Sequence, residues 1–338
     1  MKTQSPSFLS GALHVRRYCE EDHDRWDALV ENSINGTLMQ TRQLLSYHPP
    51  QRFRDHSLLF FDSASRLCAV FPAAEVSEQN GLVLKSHPGT TYGGLVVDSS
   101  LSSVRADQLI SCLTQYAVAN GFRGIWFRHA EKIFHRQWCE ELDAALFRAD
   151  FKILGRELSC VSRLSEIGHS DVPQNFSSAA QRATRKAIKS GIIAGTSQDF
   201  CSFWRILESN LHDLHGTHPT HTLDEMLRLK SLFHDKIQLI AATLDGEMTA
   251  GTVLFHMNSV ASHTFYMAQD YRHQTTRSLN LVLAVALRET VLRGAQWLNY
   301  GISSIPGTGG REMNEGLYHF KRNCGGEGVL RDLFTKIL

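Results

Sequence analysis

The sequence predicts an α/β chain of the α+β kind. It reads as two domains in tandem, each a mixed, mostly antiparallel sheet flanked by helices, with a cleft between them. Three observations predict this. The 338 residues are enough for two ordinary domains. Hydrophobic residues make up 42% of the chain and charged residues 20%, a globular balance. One order of elements (antiparallel meander, helix, strand) is written twice, with matching elements roughly 175 residues apart.

In the first half, Ser57–Phe61 reads as a strand, "DSAS" as a turn and Leu67–Val76 as the returning strand. Asn80-Gly81 is a hairpin signal, and "LVLKS" and "YGGLVV" (Tyr92–Val97) follow. A helix near Asp107–Ala119 gathers Leu109, Ile110, Leu113, Tyr116 and Ala117 on one face. Gly121 ends it before the strand Gly124–Phe127. In the second half, Ile237–Thr243 is a strand and Asp245-Gly246 its turn. Thr249–Met257 returns, Asn258-Ser259 turns again and Val260–Ala268 is the third strand. A helix then aligns Leu279, Val282, Leu283, Ala286, Leu287 and Val291. Gly294 stops it before Gln296–Gly301. Periodicity lapses at Ser165–Pro173, which sets the expected domains at 1–165 and 166–338.

A formal net charge of +1 advertises no broad grip on nucleic acid or an anionic membrane. The longest apolar run, "LVLAVAL" from Leu281, is far too short to span a bilayer, so no membrane insertion is expected. The first residues carry one Lys and no sustained apolar core, unlike a signal peptide. The seven cysteines are scattered, odd in number and never spaced C-x-x-C. That points to reduced thiols in a cytoplasm, without a zinc site or disulfide frame.

Several residues invite chemistry. "NEGLYHFKRNCGGEG" (Asn314–Gly328) alternates as a strand, with Tyr318 and Phe320 on one face and His319 and Lys321 on the other. Lys321 either reaches into a cleft to meet a phosphate or developing charge, or is an exposed strand lysine. Gly325 and Gly326 turn the chain after it, and Asn314 and Gly316 shape the loop before. His212, His215, His218 and His221 recur every three residues, but Gly216 and Pro219 break any helix, so the four share no face and no metal is expected. That segment, Asn210–His221, reads as a loop, either over the cleft with His221 or Thr220 on substrate or simply polar. Arg182, Arg185 and Lys189 align on a basic helix, as a solvated face or a phosphate-facing one.

"NGTLMQT" (Asn35–Thr41), "YGGLVV", "QRATRKAIKSGI" (Gln181–Ile192), "HPTHTLDEM" (His218–Met226), "YMAQD" (Tyr266–Asp270), "YGIS" (Tyr300–Ser303) and the Asn314 segment form an ordered set. Together they resemble the tandem-GNAT, Fem-type acyltransferases, most of all the sugar N-acyltransferases of surface-polysaccharide and O-antigen (lipopolysaccharide) biosynthesis. The resemblance implies a cytoplasmic N-acyltransferase. It would move an acyl group from a coenzyme A thioester to the amine of a dTDP- or UDP-linked amino sugar. The alternatives are an aminoacyl-tRNA-dependent transferase of peptidoglycan precursors and a non-catalytic ligand-binding protein of the same fold.

Amide formation needs a neutral amine, donors for the oxyanion and a departing thiolate. The resemblance puts the oxyanion donors at the backbone N–H groups of Met267–Gln269, where the fold's central strands part. Asp270 positions or deprotonates the amine, or caps a turn. Tyr266 protonates the leaving sulfur, or is a core tyrosine. Ala268, Gln269, Arg272, Arg277 and Asn280 are the expected donor-binding residues. Gln40, Tyr92, Gly93, Arg182, Arg185, His221, Ser303 and Asn314 are those expected toward the acceptor. One departure stands out: Asp270–Asn280, where many acyl-CoA users carry a glycine-rich phosphate loop, contains no glycine.

Overall fold

The computed structural model describes residues 8–10, 13–49, 51–164 and 171–338, so most of the lapse at Ser165–Pro173 lies outside the described residues. The elements fall into two units. The first holds residues 1–157, 309–311 and 330–338; the second holds 158–308 and 312–329.

The first unit runs through β1 (Phe8–Ser10), β2 (Leu13–Arg17), α1 (His23–Asn32), α2 (Arg42–Leu45), β3 (Arg54–Asp55), β4 (Leu58–Asp62), β5 (Leu67–Phe71), β6 (Ala74–Glu78) and β7 (Gly81–Ser86). It continues with β8 (Val96–Val97), α3 (Ser103–Ala119), β9 (Gly124–Arg128), α4 (Glu140–Arg148) and the start of β10 (Lys152–Arg163). Strands β1-β2-β4-β5-β8 make one antiparallel sheet, and a second set pairs as β3-β6-β7-β9. Only β7 and β9 in that set are parallel. The end of the chain completes this set: Leu333–Ile337 pairs antiparallel with β9. Helix α3 buries Leu109, Ile110 and Leu113 in a core shared with Phe60, Phe71, Leu84 and Phe127.

One expected strand divides. Leu67–Val76 is two strands, because Pro72 has no N–H to give a ladder. β5 ends at Phe71 against β4, and β6 starts at Ala74 against β3 and β7. "YGGLVV" shrinks to Val96–Val97, since Gly94 takes a φ of +79° that no strand continues.

The second unit takes the rest of β10 and then α5 (Ser178–Lys189), β11 (Ile193–Ser197), α6 (Phe200–His215), α7 (Leu223–Leu232), β12 (Ile237–Leu244) and β13 (Glu247–His256). It continues with β14 (Ala261–Gln269), α8 (Ser278–Leu292), β15 (Trp297–Ile302), α9 (Glu315–Asn323) and the start of β16 (Glu327–Ile337). Its sheet has the order β11-β12-β13-β14-β15-β10, antiparallel except for β14 and β15. Asp245 and Gly246, at φ of 51° and 85°, make the tight turn their sequence demands. Helix α8 lies on this sheet through Val282, Leu283, Ala286 and Leu287, packed with Ile240, Ala250 and Leu254.

The duplicated order is visible in the element starts. Helices α3 and α8 begin at 103 and 278, α4 and α9 at 140 and 315, and β10 and β16 at 152 and 327: 175 residues separate each pair.

Within the first unit, Arg331 and Glu157 form a buried ion pair, 8% and 7% exposed. Arg331 donates to Glu157 Oε2 at 3.0 and 2.6 Å. Removing one partner strands the other in a low-dielectric interior. Glu157→Ala should therefore destabilise the protein by about 3 kcal/mol, read as a lower urea midpoint.

Candidate active site

Strand β14 pairs with β13 along most of its length, from Ser262 to Gln269. On its other side it pairs with β15 only at Ala261–His263, opposite Trp297–Asn299. Beyond that short ladder the two parallel strands part. Gly301 turns β15 away with a φ of +77°, and its N–H donates to the Asn299 side chain at 2.6 Å. At the end of β15, Lys321 meets the carbonyls of Gly301 and Ile302. Its ammonium donates to both, at 2.9 and 2.6 Å.

Lys321 lies in helix α9, not in the strand expected from "YHFK". Asn314 starts the helix by accepting from the N–H of Leu317, Glu315 sits in its first turn and the basic pair in its last. The helix brings Lys321 to 2% exposure. Its ammonium is engaged by backbone carbonyls rather than presented to a solvent-filled cleft. Tyr300 donates to the Cys324 carbonyl at 2.8 Å and pins the C-terminal end of α9. Ser303 is buried too, its N–H on the Leu158 carbonyl and its own carbonyl accepting from Asn314.

Beside the end of β14, past its ladder with β15, is a cavity of about 510 Å³. Met267, Ala268, Gln269, Arg277, Asn280 and Asn314 all line it, so six of the residues expected from the sequence come together. Leu207 and Leu211 of α6, Leu279, and Leu317 and Phe320 of α9 supply an apolar wall. Asn210 lines it as well and donates to the Gln269 carbonyl at 2.9 Å. At one end stands the start of α8. Its N-cap, Arg277, is left-handed at φ 64° and no side chain caps the helix. The leading N–H groups of a helix carry partial positive charge. Arg277 is the one charged residue of the lining, and the lining contains no carboxylate and no histidine.

Other expected residues lie elsewhere. Asp270 caps the short turn Tyr271–Thr276, accepting from the Arg272 N–H at 2.9 Å and from its guanidinium at 3.0 and 3.1 Å. Hydrogen bonding to Arg272 holds this carboxylate below its usual range, so it is a weak base. Both residues line a separate groove of about 730 Å³. Glu247, Asp270 and His273 bring ligand atoms within 4.8 Å of one another there, and Arg272 donates to both carboxylates. Tyr266 pairs its hydroxyl with His221 Nδ1 at 2.8 Å, and burial pushes its pKa up to about 12. Neither residue is among those lining the cavity.

In the first unit, Gln40, Tyr92 and Gly93 do come together, but inside the core. The Gln40 side chain accepts from the Thr37 N–H and donates to the Gly93 carbonyl at 3.0 Å. A Cβ at Gly93 would collide with the Ser86 carbonyl, so the close approach that this glycine signals is to its own chain. Arg182 and Arg185 are exposed on α5, beside Lys186 and Lys189. Asn210–His215, expected as loop, is the last stretch of α6; Gly216, left-handed at φ 59°, ends the helix. His212 is exposed, His218 and His221 lie beyond the helix, and the His215 side chain lies outside the described residues.

No protein-family model matches the sequence, and no curated protein matches it. Solved structures do match in fold. A structure described as FemX superposes with a TM-score of 0.69 at 13% identity, covering 96% of this chain and 97% of that one. The fold is GNAT-like. The C-terminal domain of a putative lysylphosphatidylglycerol synthetase from Agrobacterium fabrum shares the GNAT-like architecture, with a TM-score of 0.59 at 12% identity over 93% of this chain and 91% of that chain. A tandem GNAT protein from the clavulanic acid pathway gives 0.51 at 11% identity over 96% and 98%. Among the described residues no helix is long and apolar enough to cross a membrane.

Two outcomes follow from this geometry. Lys321→Met removes a buried ammonium from the carbonyls of Gly301 and Ile302 and should cost about 2–5 kcal/mol in urea unfolding, with the site lost alongside. Asp270→Asn should behave differently with pH. A carboxylate with a depressed folded pKa stabilises the fold above its unfolded value and loses that effect as pH falls through the folded value. The gap in unfolding free energy between wild type and Asp270→Asn should therefore be full at neutral pH and close as pH falls below the ordinary aspartate range and through the lower folded value.

Proposed function

We propose that this protein transfers an acyl group from an activated carrier to an amine, with the reacting carbonyl at the parting of β14 and β15. One observation carries the reading: the end of β14, past its short ladder with β15, and the uncapped start of α8 share a single cavity. A sheet that opens leaves N–H groups of one edge without their strand partners, and such groups are suited to an oxyanion. The helix start, with Arg277, suits the phosphates of the carrier. Leu207, Leu211, Met267, Leu317 and Phe320 suit its apolar arm or the acyl chain.

The amine nitrogen attacks the carbonyl carbon, a C–N bond forms, and the bond to the carrier breaks with its electron pair on sulfur or oxygen. The lining offers no carboxylate or histidine base, so the amine's proton passes to water. Positioning then supplies most of the acceleration, as an aminolysis of a thioester allows. In the first form of the proposal the carrier is a coenzyme A thioester and the acceptor a nucleotide-linked amino sugar of surface-polysaccharide synthesis. A second form has aminoacyl-tRNA as carrier. The absence of glycine from Asp270–Asn280 and the exposed cations of α5 favour it.

A thiol-release assay tests the first form. Acyl-CoAs mixed with nucleotide-linked amino sugars should yield free thiol only when both are present, with the acyl mass added to the sugar. Release from neither panel, with transfer from charged tRNA, would replace the first form by the second; no turnover with either carrier would leave only ligand binding. In the active assay, Arg277→Ala should raise KM for the carrier about ten-fold with a smaller change in kcat, as loss of one phosphate contact predicts.

A further inference from the structure

Strand β11 forms the outer edge of the second unit's sheet, and among the described residues it pairs only with β12. Sheet edges left open to solvent are normally blunted by a proline, a bulge or a charged side chain. β11 reads Ile-Ala-Gly-Thr-Ser and has none of these; its register with β12 is unbroken over five pairs. Its central residue is also unexplained by the chain itself. Gly195 has no positive φ, and a Cβ built there meets nothing within 4 Å. Glycine weakens a strand, and within one it often marks close approach by another backbone. Ala194 packs on the core beneath α8, so Ile193, Gly195 and Ser197 share the opposite face, where Ile193 is 75% exposed.

We propose that β11 is a self-association edge, on which a second copy of this chain pairs antiparallel about a twofold axis through Gly195. Charge favours this occupant and this direction. At the N-terminal end of β11, helix α5 presents Arg182, Arg185, Lys186 and Lys189. At its C-terminal end the groove carries Asp199, Asp213, Glu247 and Asp270 against two arginines, Arg205 and Arg272. Antiparallel pairing brings the basic end of each copy to the acidic end of the other; parallel pairing would set like against like. With the axis at Gly195, Ile193 stands opposite Ser197 of the other copy and diagonal to its bare Gly195, which leaves room for the isoleucine. Asp199 then stands opposite Gly191, two residues from Lys189.

Sedimentation equilibrium of the full chain tests the proposal. The wild type should have twice the 38.0 kDa monomer mass, with a dissociation constant that rises with salt. Gly195→Lys is sterically free in the single chain but sets two ammonium groups across the axis. It should weaken association roughly a hundred-fold or more while leaving the circular dichroism and thermal midpoint unchanged. Lys189→Glu should also weaken it, at an end of the strand where no backbone is touched. A wild type that remains monomeric at roughly 100 μM, where even a micromolar dimer would be mostly formed, overturns the proposal. So does a dimer that Gly195→Lys leaves intact, because its interface would lie elsewhere.

Discussion

The contact on which the second unit depends is the Lys321 ammonium on the carbonyls of Gly301 and Ile302. Two parallel strands cannot part inside a protein without orphaning backbone groups, and a buried orphan costs as much as a lost hydrogen bond. At the end of β15, a lysine from the next helix donates to two successive carbonyls. The charge is tolerated because two carbonyl dipoles surround it, and the helix is held by the Asn314 cap at one end and the Tyr300 hydroxyl at the other. On the β14 side Asn210 of α6 donates to the Gln269 carbonyl at 2.9 Å, and Met267, Ala268 and Gln269 border the cavity. The lysine thus acts on the site through the strand it holds, as a positioning residue.

The first unit shows the same motif closed. Its parallel pair, β7 and β9, runs over Val83–Ser86 and Gly124–Phe127. Immediately beyond it the Gly93 N–H donates to the Arg128 carbonyl at 2.8 Å, and the Gly94 N–H donates to the Ser86 hydroxyl at 2.9 Å. The chain's own glycines occupy the notch, and Gln40 braces them from behind. One copy of the repeat is filled by backbone and the other is left open beside an uncapped helix. That contrast is what distinguishes the two copies of the repeat.

Much of this was legible in residues with local signals. Asn80-Gly81 and Asp245-Gly246 define their hairpins, and the stripe from Leu279 to Val291 defines α8. Met267–Gln269, Arg277 and Asn280, expected from the resemblance, line one cavity, because strand, turn and helix follow one another directly. Helix α9 was not legible, and the reason is Lys321. Leu317, Phe320, Lys321 and Cys324 have helical spacing, but a lysine in the buried stripe hides the period, and "YHFK" then mimics a strand. The repeat itself held the correction, since α4 carried forward by 175 residues lands on Glu315. Leu207 was missed, and Asn210 and Leu211 were expected only as part of a loop, for a different reason: they enter the cavity through tertiary packing of α6, which no local pattern reports.

The central claim is that the open parting in the second unit receives the activated carrier. Backbone hydrogen exchange, with and without saturating coenzyme A and, separately, an aminoacylated RNA acceptor end, tests it most directly. The account predicts slowed exchange at Met267–Gln269 and at the first turn of α8, with no change at Gly93 and Gly94. Protection confined to the first unit, or turnover with no protection at the parting of β14 and β15, would contradict it.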